Sequence, residues 1–325
     1  MVMRTPRAMI MAAGFGTRLG ELGTRRPKPM LPVCGAPLVR WAVLWLRRQG
    51  VREMVINLHH HGEQIEAELG DGGALGVAIA YSREATILGT GGGLRQARDL
   101  LEDGSGGPIV TMNGKVILDL ELAPVLAEHA ARGAEATLVL REDPAGNVRV
   151  GADGRVSHLR GVAAPRGEAG GPLCMFTGVQ VVTPRFLERI PASGEQCVIG
   201  TAAMAALAED GPLYGHVTRS YWWEHSTVER YLQGVANVIE GRARLDHAPG
   251  MLRGVDPSAV IDPTARVDPA VWIGPDVRVG AGAEVGPRVQ LGAGVIVDAG
   301  VRLRDVVAWE GVHVRADAEH AVLAR

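Results

Sequence analysis

A glycine-rich turn, an arginine and a lysine locked between prolines follow one another at residues 11–33, MAAGFGTRLGELGTRRPKPMLPV. Each residue type suits a chain of phosphates. Gly14 and Gly16 let the backbone come close to an anion, and the successive N–H groups that begin at Ala12 and Ala13 can form an anion nest. Thr17 adds a hydroxyl donor, and Arg18 can fork onto two phosphate oxygens. Lys28 sits between Pro27 and Pro29, so little conformational freedom is lost in placing its charge. The stretch is not a P-loop, because no GK[ST] follows, and not a dinucleotide fingerprint, because the third glycine is missing.

A second place of chemical interest is TMNGKVILDL, residues 111–120. Its front half reads as a buried strand turning into a tight loop, where a carboxylate for a cation would be expected; Lys115 stands there instead. His59, His60 and His61 are consecutive, so their side chains diverge, and no cysteine or carboxylate flanks them at ligand spacing; they read as a polar strand end.

The elements that must carry these residues alternate. Residues 8–13, 53–58, 76–82, 108–112, 136–140 and 174–182 read as strands, and residues 37–50, 62–69, 92–101, 123–133 and 226–241 as helices. Asp153-Gly154 marks a hairpin within 147–159, and Ser226 with Glu229 reads as a capping box. The rhythm predicts an α/β, Rossmann-like, mostly parallel sheet with helices on both faces, so the first loop lies at the carboxyl end of the first strand, where ligands bind in such sheets.

From residue 255 the period becomes six. Val255, Ile261, Val267, Ile273, Val279, Val285, Leu291, Val297 and Leu303 are evenly spaced, the signature of a solenoid in which stacked coils bury an apolar column. About three coils are expected, with EHAVLAR as a cap. The domain reading is therefore 1–241 for the α/β part, 242–254 for a linker and 255–325 for the solenoid. Flat solenoid faces suit self-association, so a homo-oligomer is expected.

Composition narrows the class. A formal net charge of −2 gives no broad attraction to nucleic acid or anionic membrane. Three scattered cysteines argue against a disulfide framework. No apolar run approaches the ~18–20 residues that span a bilayer, and the short N-terminal run feeds straight into the glycine loop. A cytoplasmic protein is expected.

AAGFGTRL and RPKPMLPV together resemble the signature of the sugar-1-phosphate nucleotidyltransferases, over roughly the first 240 residues by motif order. The hexad tail is similar to the left-handed β-helix appended to several members, including mannose-1-phosphate guanylyltransferases. The resemblance implies a nucleotidyl transfer from an NTP to a sugar 1-phosphate, giving an NDP-sugar and pyrophosphate, with Mg²⁺ bridging the phosphates. It implies catalytic roles for Arg18 and Lys28. It also implies nucleotide contacts from Ala12, Ala13, Gly14, Gly16 and Thr17, from Gly89 and Thr90 in LGTGGG, and from Asn113 and Gly114. Thr177 and Gly178 in MFTG would meet the sugar, and Glu224 in YWWEHSTVERYL would fall at a metal-binding carboxylate. Trp222 and Trp223 read as packing residues.

The chain departs from that pattern in three places. Lys115 replaces the metal-binding Asp of the family's N-G-D loop. An ammonium and Mg²⁺ at ~4 Å repel by roughly 8 kcal/mol at an effective dielectric of ~20, so Mg²⁺ ligated there in the usual way is not expected. Three outcomes stay open: Lys115 takes the cation's place, the metal shifts toward Glu224 and the polyphosphate with Asp119, or the chain binds nucleotides as a regulator with little turnover. An enzyme by one of the first two routes is preferred. Residues 158–171 lack the family's E-K-P segment and offer Arg160 or Arg166 for the sugar phosphate. Gly23 replaces a common threonine, a change expected to matter little. Guanylyl transfer to mannose 1-phosphate is the first expectation for substrate. Uridylyl or thymidylyl transfer to a hexose or amino-sugar 1-phosphate is the alternative.

Overall fold

A computed structural model describes residues 5–166 and 170–324; residues 167–169 of the arginine-containing segment at 158–171 lie outside it. The chain forms two compact units that are not contiguous in sequence: Met1–Phe15, Ala42–Val116 and Leu120–Trp222 make the first, and Gly16–Trp41, Ile117–Asp119 and Trp223–Arg325 the second.

The first unit is built on a mixed sheet. Arg7–Met11 lies between Glu53–Leu58 and Ile109–Asn113, parallel to both, and Ala78–Arg83 extends the parallel side. These strands are apolar along most of their length, as burial on both faces requires: Met9, Ile10, Ile56 and Val110 are fully buried. Cys174–Val182 then runs antiparallel to Ile109–Asn113 and to Ala136–Glu142, and Leu213–Val217 pairs parallel with the latter. The sheet is therefore parallel on one side of Ile109–Asn113 and mixed on the other.

The register of Cys174–Val182 against Ala136–Glu142 shifts between Phe176 and Gln180. A bulge of this kind re-aims side chains, and Thr177 and Gly178 sit inside it. The helix read at 92–101 instead starts at Gly89, and Ala97 separates Gly89–Gln96 from Arg98–Leu101. The LGTGGG motif is thus the first turn of the helix rather than a loop before it. Pro184–Glu188, a π-turn at Ile199–Ala203 and Leu213–Val217 were not foreseen.

The second unit contains the solenoid. Strands stack in parallel every 18 residues, Gly254↔Trp272↔Gln290 on one face and Val260↔Arg278↔Ile296 on another. Three hexads per coil give this spacing, and the curled parallel sheet is of the left-handed β-helix kind. The apolar column is buried from the second coil onward, at Ile273, Val279, Val285, Leu291, Val297 and Leu303, whereas Ile261 and Val267 are half-buried and Val255 is exposed in the first coil. The tail is more than a cap: Ala318–Leu323 pairs in parallel with Arg302–Ala308 and carries the coil onward.

The Val228–Ile239 helix corrects one reading. Its N-cap is Thr227, not Ser226. Thr227 has extended backbone, and its hydroxyl accepts the Arg230 N–H at 3.2 Å. Ser226 is buried one residue earlier.

Candidate active site

In the first unit the parallel strands all end at one edge of the sheet, and each contributes one turn. Met11 leads into Ala12, Ala13, Gly14 and Phe15, Leu58 into His59, Arg83 into Glu84, and Asn113 into Gly114 and Lys115. Backbone pairing joins two of these turns. Asn113 is in register with Met11, and the Gly114 N–H donates to the Met11 carbonyl at 3.0 Å. Ala12 and Ala13 are buried, whereas Gly14 and Phe15 are exposed at the rim.

Asn113 also meets the bulged strand. Gly178 has a φ of +80°, and a β-carbon there would overlap Asn113 Nδ2. A glycine is thus required by conformation and by space. Thr177 beside it is buried, and its hydroxyl donates to the Val139 carbonyl at 2.8 Å. Its backbone carbonyl accepts from Trp222 Nε1 at 2.8 Å. Thr177 therefore shapes the bulge from inside, with its hydroxyl already engaged.

Gly89 and Thr90 face the segment 194–198. A β-carbon on Gly89 would lie 2.5 Å from the Gln196 carbonyl oxygen, which instead accepts the Gly91 N–H at 2.7 Å. The Thr90 hydroxyl accepts the Val198 N–H at 3.0 Å. Arg160, at a turn with φ +52°, points its guanidinium along the same segment: Nη1 lies 2.8 Å from where a Gly200 β-carbon would be. Arg166 instead pairs with Asp210 at 3.4 Å.

Three polar residues tie this edge together, His59 from the polar strand end already read and two that sequence reasoning missed, Asn57 and Glu84. Asn57, Glu84 and His59 stand at the ends of two buried strands. Asn57 Oδ1 accepts the Ala12 N–H at 2.7 Å, and Asn57 Nδ2 donates to Glu84 Oε1 at 2.7 Å. His59 Nδ1 is 2.8 Å from the Glu84 carbonyl, and its ring packs edge-on against Phe15 at 5.3 Å. The signal was available: an amide closing the run EMVIN and a carboxylate after AIAYSR are polar residues placed where apolar strands end.

The second unit holds the other half of the motif. Gly16, with φ +74°, precedes the short turn Thr17–Leu19, which leaves Thr17 and Arg18 exposed. The Lys28 stem packs over Gly16, with Cγ 3.8 Å from where a Gly16 β-carbon would be. Gly23 packs beneath: a β-carbon there would lie 2.7 Å from the Gly16 carbonyl oxygen. The missing threonine was expected to matter little, yet this space takes a glycine and nothing larger without moving the loop.

Downstream of Lys28 the hairpin Pro32–Val33 with Ala36–Pro37 is gripped by the solenoid within the same unit. Gln290 accepts the Cys34 N–H at 2.7 Å and donates to the Pro32 carbonyl at 3.0 Å. Tyr231 donates to the same carbonyl at 2.7 Å, and Arg26 lies 4.7 Å from the centre of the Trp309 ring while pairing with Glu310. Burial pushes the Cys34 thiol and the Tyr231 hydroxyl well above their ordinary pKa ranges, so both stay neutral.

The strands Val116–Leu118 and Trp222–Glu224 pair as a small sheet. Asp119 follows the first, and Glu224 ends the second, both half-buried. Arg230 Nε donates to the Glu224 carbonyl at 2.9 Å and its guanidinium stacks 4.4 Å from the Trp223 ring centre, so Trp223 is a packing residue as expected. Among the described residues no three His, Cys, Asp or Glu side chains gather as a ligand set. Asp119 and Glu224 of the second unit are two carboxylates, which is how Mg²⁺ is held when substrate phosphates supply the other ligands. No described helix is long and apolar enough to cross a membrane.

The family model described as nucleotidyl transferase matches residues 7–160. The chain is 34% identical over 242 residues to a mannose-1-phosphate guanylyltransferase of Mycobacterium tuberculosis, covering 73% of this chain and 65% of that protein. It thus spans slightly less than two thirds of that relative. It is 40% identical over 193 residues to the N-acetylmuramate alpha-1-phosphate uridylyltransferase of Neisseria meningitidis, covering 57% of this chain and 79% of that protein. A Bacillus anthracis protein solved in complex with a sucrose shares the fold, with a TM-score of 0.63 at 20% identity, over 76% of this chain and 98% of that one.

Proposed function

This chain belongs to the nucleotidyl transferase family, and on that premise we propose that it joins the NMP part of a nucleoside triphosphate to a sugar 1-phosphate, releasing pyrophosphate and an NDP-sugar. The observation that carries the reading is the convergence at one sheet edge of the Ala12–Phe15 turn, the Asn113–Gly114 turn and the glycine bulge at Gly178.

In this reading the sugar phosphate oxygen attacks the α-phosphorus in line, and the protein supplies position and charge. The amides of the first loop cradle the phosphates, with Thr17, Arg18 and Lys28 as donors. Gly89 and Thr90 border the nucleobase. Asn113 and Gly178 border the sugar, and Arg160 is the candidate for its phosphate. The family's chemistry is Mg²⁺-dependent. Here Lys115 replaces the loop carboxylate, so either its ammonium takes the cation's place and neutralises the phosphates, or a cation that arrives with the polyphosphate shifts toward Glu224 with Asp119. The solenoid is further proposed to support self-association of the chain.

The first choice of substrates is GTP with mannose 1-phosphate, supported by the likeness to the Mycobacterium protein across 73% of the chain. A second reading, UTP with an N-acetylated amino-sugar 1-phosphate, is favoured by the higher identity, 40%, to the Neisseria protein. Pyrophosphate release from a matrix of GTP, UTP, dTTP and ATP against mannose, glucose, N-acetylglucosamine and N-acetylmuramate 1-phosphates decides between them. Turnover with one pair supports the proposal. Tight nucleotide binding with no turnover of any pair, at any Mg²⁺ concentration, makes the chain a regulator instead.

A further inference from the structure

Asn57 and Glu84 are 3% and 5% exposed, and together they hold two separate pieces of the candidate site. The chain of contacts is continuous. The Ala12 N–H donates to Asn57 Oδ1 at 2.7 Å, Asn57 Nδ2 donates to Glu84 Oε1 at 2.7 Å, and the Leu88 N–H donates to Glu84 Oε2 at 2.9 Å. Ala12 opens the glycine loop; Leu88 precedes Gly89 and Thr90. The pair therefore links the turn assigned to the phosphates with the turn assigned to the base.

The polarity of this chain is fixed. Both Glu84 oxygens accept from N–H donors, one from Asn57 and one from Leu88, so the side chain serves as an acceptor at both ends. Accepting from Nδ2 turns the Asn57 amide so that its oxygen faces Ala12. Gly93 closes over the pair: a β-carbon there would lie 2.5 Å from Glu84 Oε1 and 2.8 Å from Asn57 Nδ2. Gln96 Nε2 ties down the preceding residue through the Arg83 carbonyl at 2.8 Å. Little freedom remains for either side chain, as a device that sets the angle of two loops requires.

We propose that Glu84, acting through Asn57, is a positioning residue for the nucleotide, presetting the first-loop amides and the Leu88–Gly93 turn at the separation that a base and its phosphates span. The inference rests on the reading of these two turns as the nucleotide site. It assigns Glu84 no contact with the reacting atoms.

Polarity gives a decisive test. Glu84→Gln presents an NH₂ group to one of two donors. Asn57→Asp sets two carboxylates against each other. In the double variant all three bonds are regained, with only the one between 57 and 84 reversed: the aspartate introduced at 57 accepts from Ala12 and from the new amide at 84, whose oxygen takes the Leu88 N–H. Calorimetric titration with GTP, UTP and dTTP, alongside melting temperature, reads the outcome whether or not the chain turns over. Each single change is expected to weaken the tightest-bound triphosphate roughly tenfold or more, and the double change to restore it to within about threefold. In turnover the nucleotide KM rises and the sugar-phosphate KM stays put. Should a single variant not fold, Gly93→Ala, which presses on the pair without altering it, takes its place. Single variants that melt lower yet bind with unchanged affinity overturn the inference, as does a double variant that is not rescued. A wild-type chain that binds triphosphate without turnover removes the proposed activity and leaves this inference standing. A chain that binds no triphosphate removes both.

Discussion

Gln290 closes both open backbone groups of the turn at Cys34: its side-chain amide takes the Cys34 N–H at 2.7 Å and gives to the Pro32 carbonyl at 3.0 Å. A solenoid residue 258 positions away thereby fixes the hairpin that follows Lys28. Gln290 is 1% exposed, and a β-carbon on Gly35 would lie 2.5 Å from the Trp272 ring, so turn and solenoid leave no slack. Gln290→Ala strands a buried N–H, a loss of about 1–3 kcal/mol. The expected result is a lower melting temperature together with weaker triphosphate binding. Unchanged nucleotide affinity would make the grip a matter of stability alone.

Gly23→Thr introduces the threonine that the motif resemblance leads one to expect and should nonetheless harm this chain. The new β-carbon would meet the Gly16 carbonyl oxygen at 2.7 Å and its carbon at 3.2 Å, and forcing such a contact costs about 1–3 kcal/mol. Differential scanning calorimetry should show the loss, and triphosphate titration a weaker complex, because Gly16 belongs to the proposed phosphate loop.

Much of this was legible in the sequence, for stated physical reasons. The parallel strands are short apolar runs, and 53–58 and 62–69 have the bounds read from their patterns. The hexad period is a one-dimensional repeat, so it passes directly into coils. What could not be read was contact between distant segments. Gly23 looks like a neutral change until Gly16 is above it, and nothing local in MFTG shows that the Thr177 hydroxyl donates to the Val139 carbonyl. Asn57 and Glu84 are 27 residues apart, and neither carries a local motif. The N-cap moved from Ser226 to Thr227 because both residue types cap well and only the backbone angles choose between them.

Lys115 separates two kinds of catalysis. If its ammonium neutralises phosphate, Lys115→Ala lowers kcat by roughly a hundredfold, as loss of one charge-stabilising donor does elsewhere. Lys115→Asp should then make the remaining turnover dependent on added Mg²⁺ and abolish it with EDTA. Wild-type kcat in Lys115→Ala would show a solvated lysine with no part in the chemistry.

Acid should destabilise the protein through His129. Burial beside Thr137, whose hydroxyl is 3.0 Å from His129 Nδ1, pushes the imidazole pKa down to about 4 from 6.5. Above pH ~6.5 the ring is neutral folded or unfolded and contributes no pH dependence. Below that the unfolded chain takes up the proton first, so stability falls as pH drops toward ~4 and the effect then levels off, at roughly 3 kcal/mol in all. Unfolding free energies from urea titration at pH 7.5 and pH 5 should differ by roughly 2 kcal/mol more in the wild type than in His129→Gln. Equal pH dependence in the two proteins would rule this residue out as the source.

The account turns on the first loop, with Arg18 and Lys28, as a cradle for a chain of phosphates. Titration of the wild type and of Lys28→Ala with GMP, GDP and GTP, and with the three uridine counterparts, measures that claim step by step. Affinity should climb with each added phosphate in the wild type, and the climb should flatten in Lys28→Ala while monophosphate binding is kept. Affinity in the wild type that ignores phosphate number, or a climb that survives the loss of Lys28 unchanged, would contradict it.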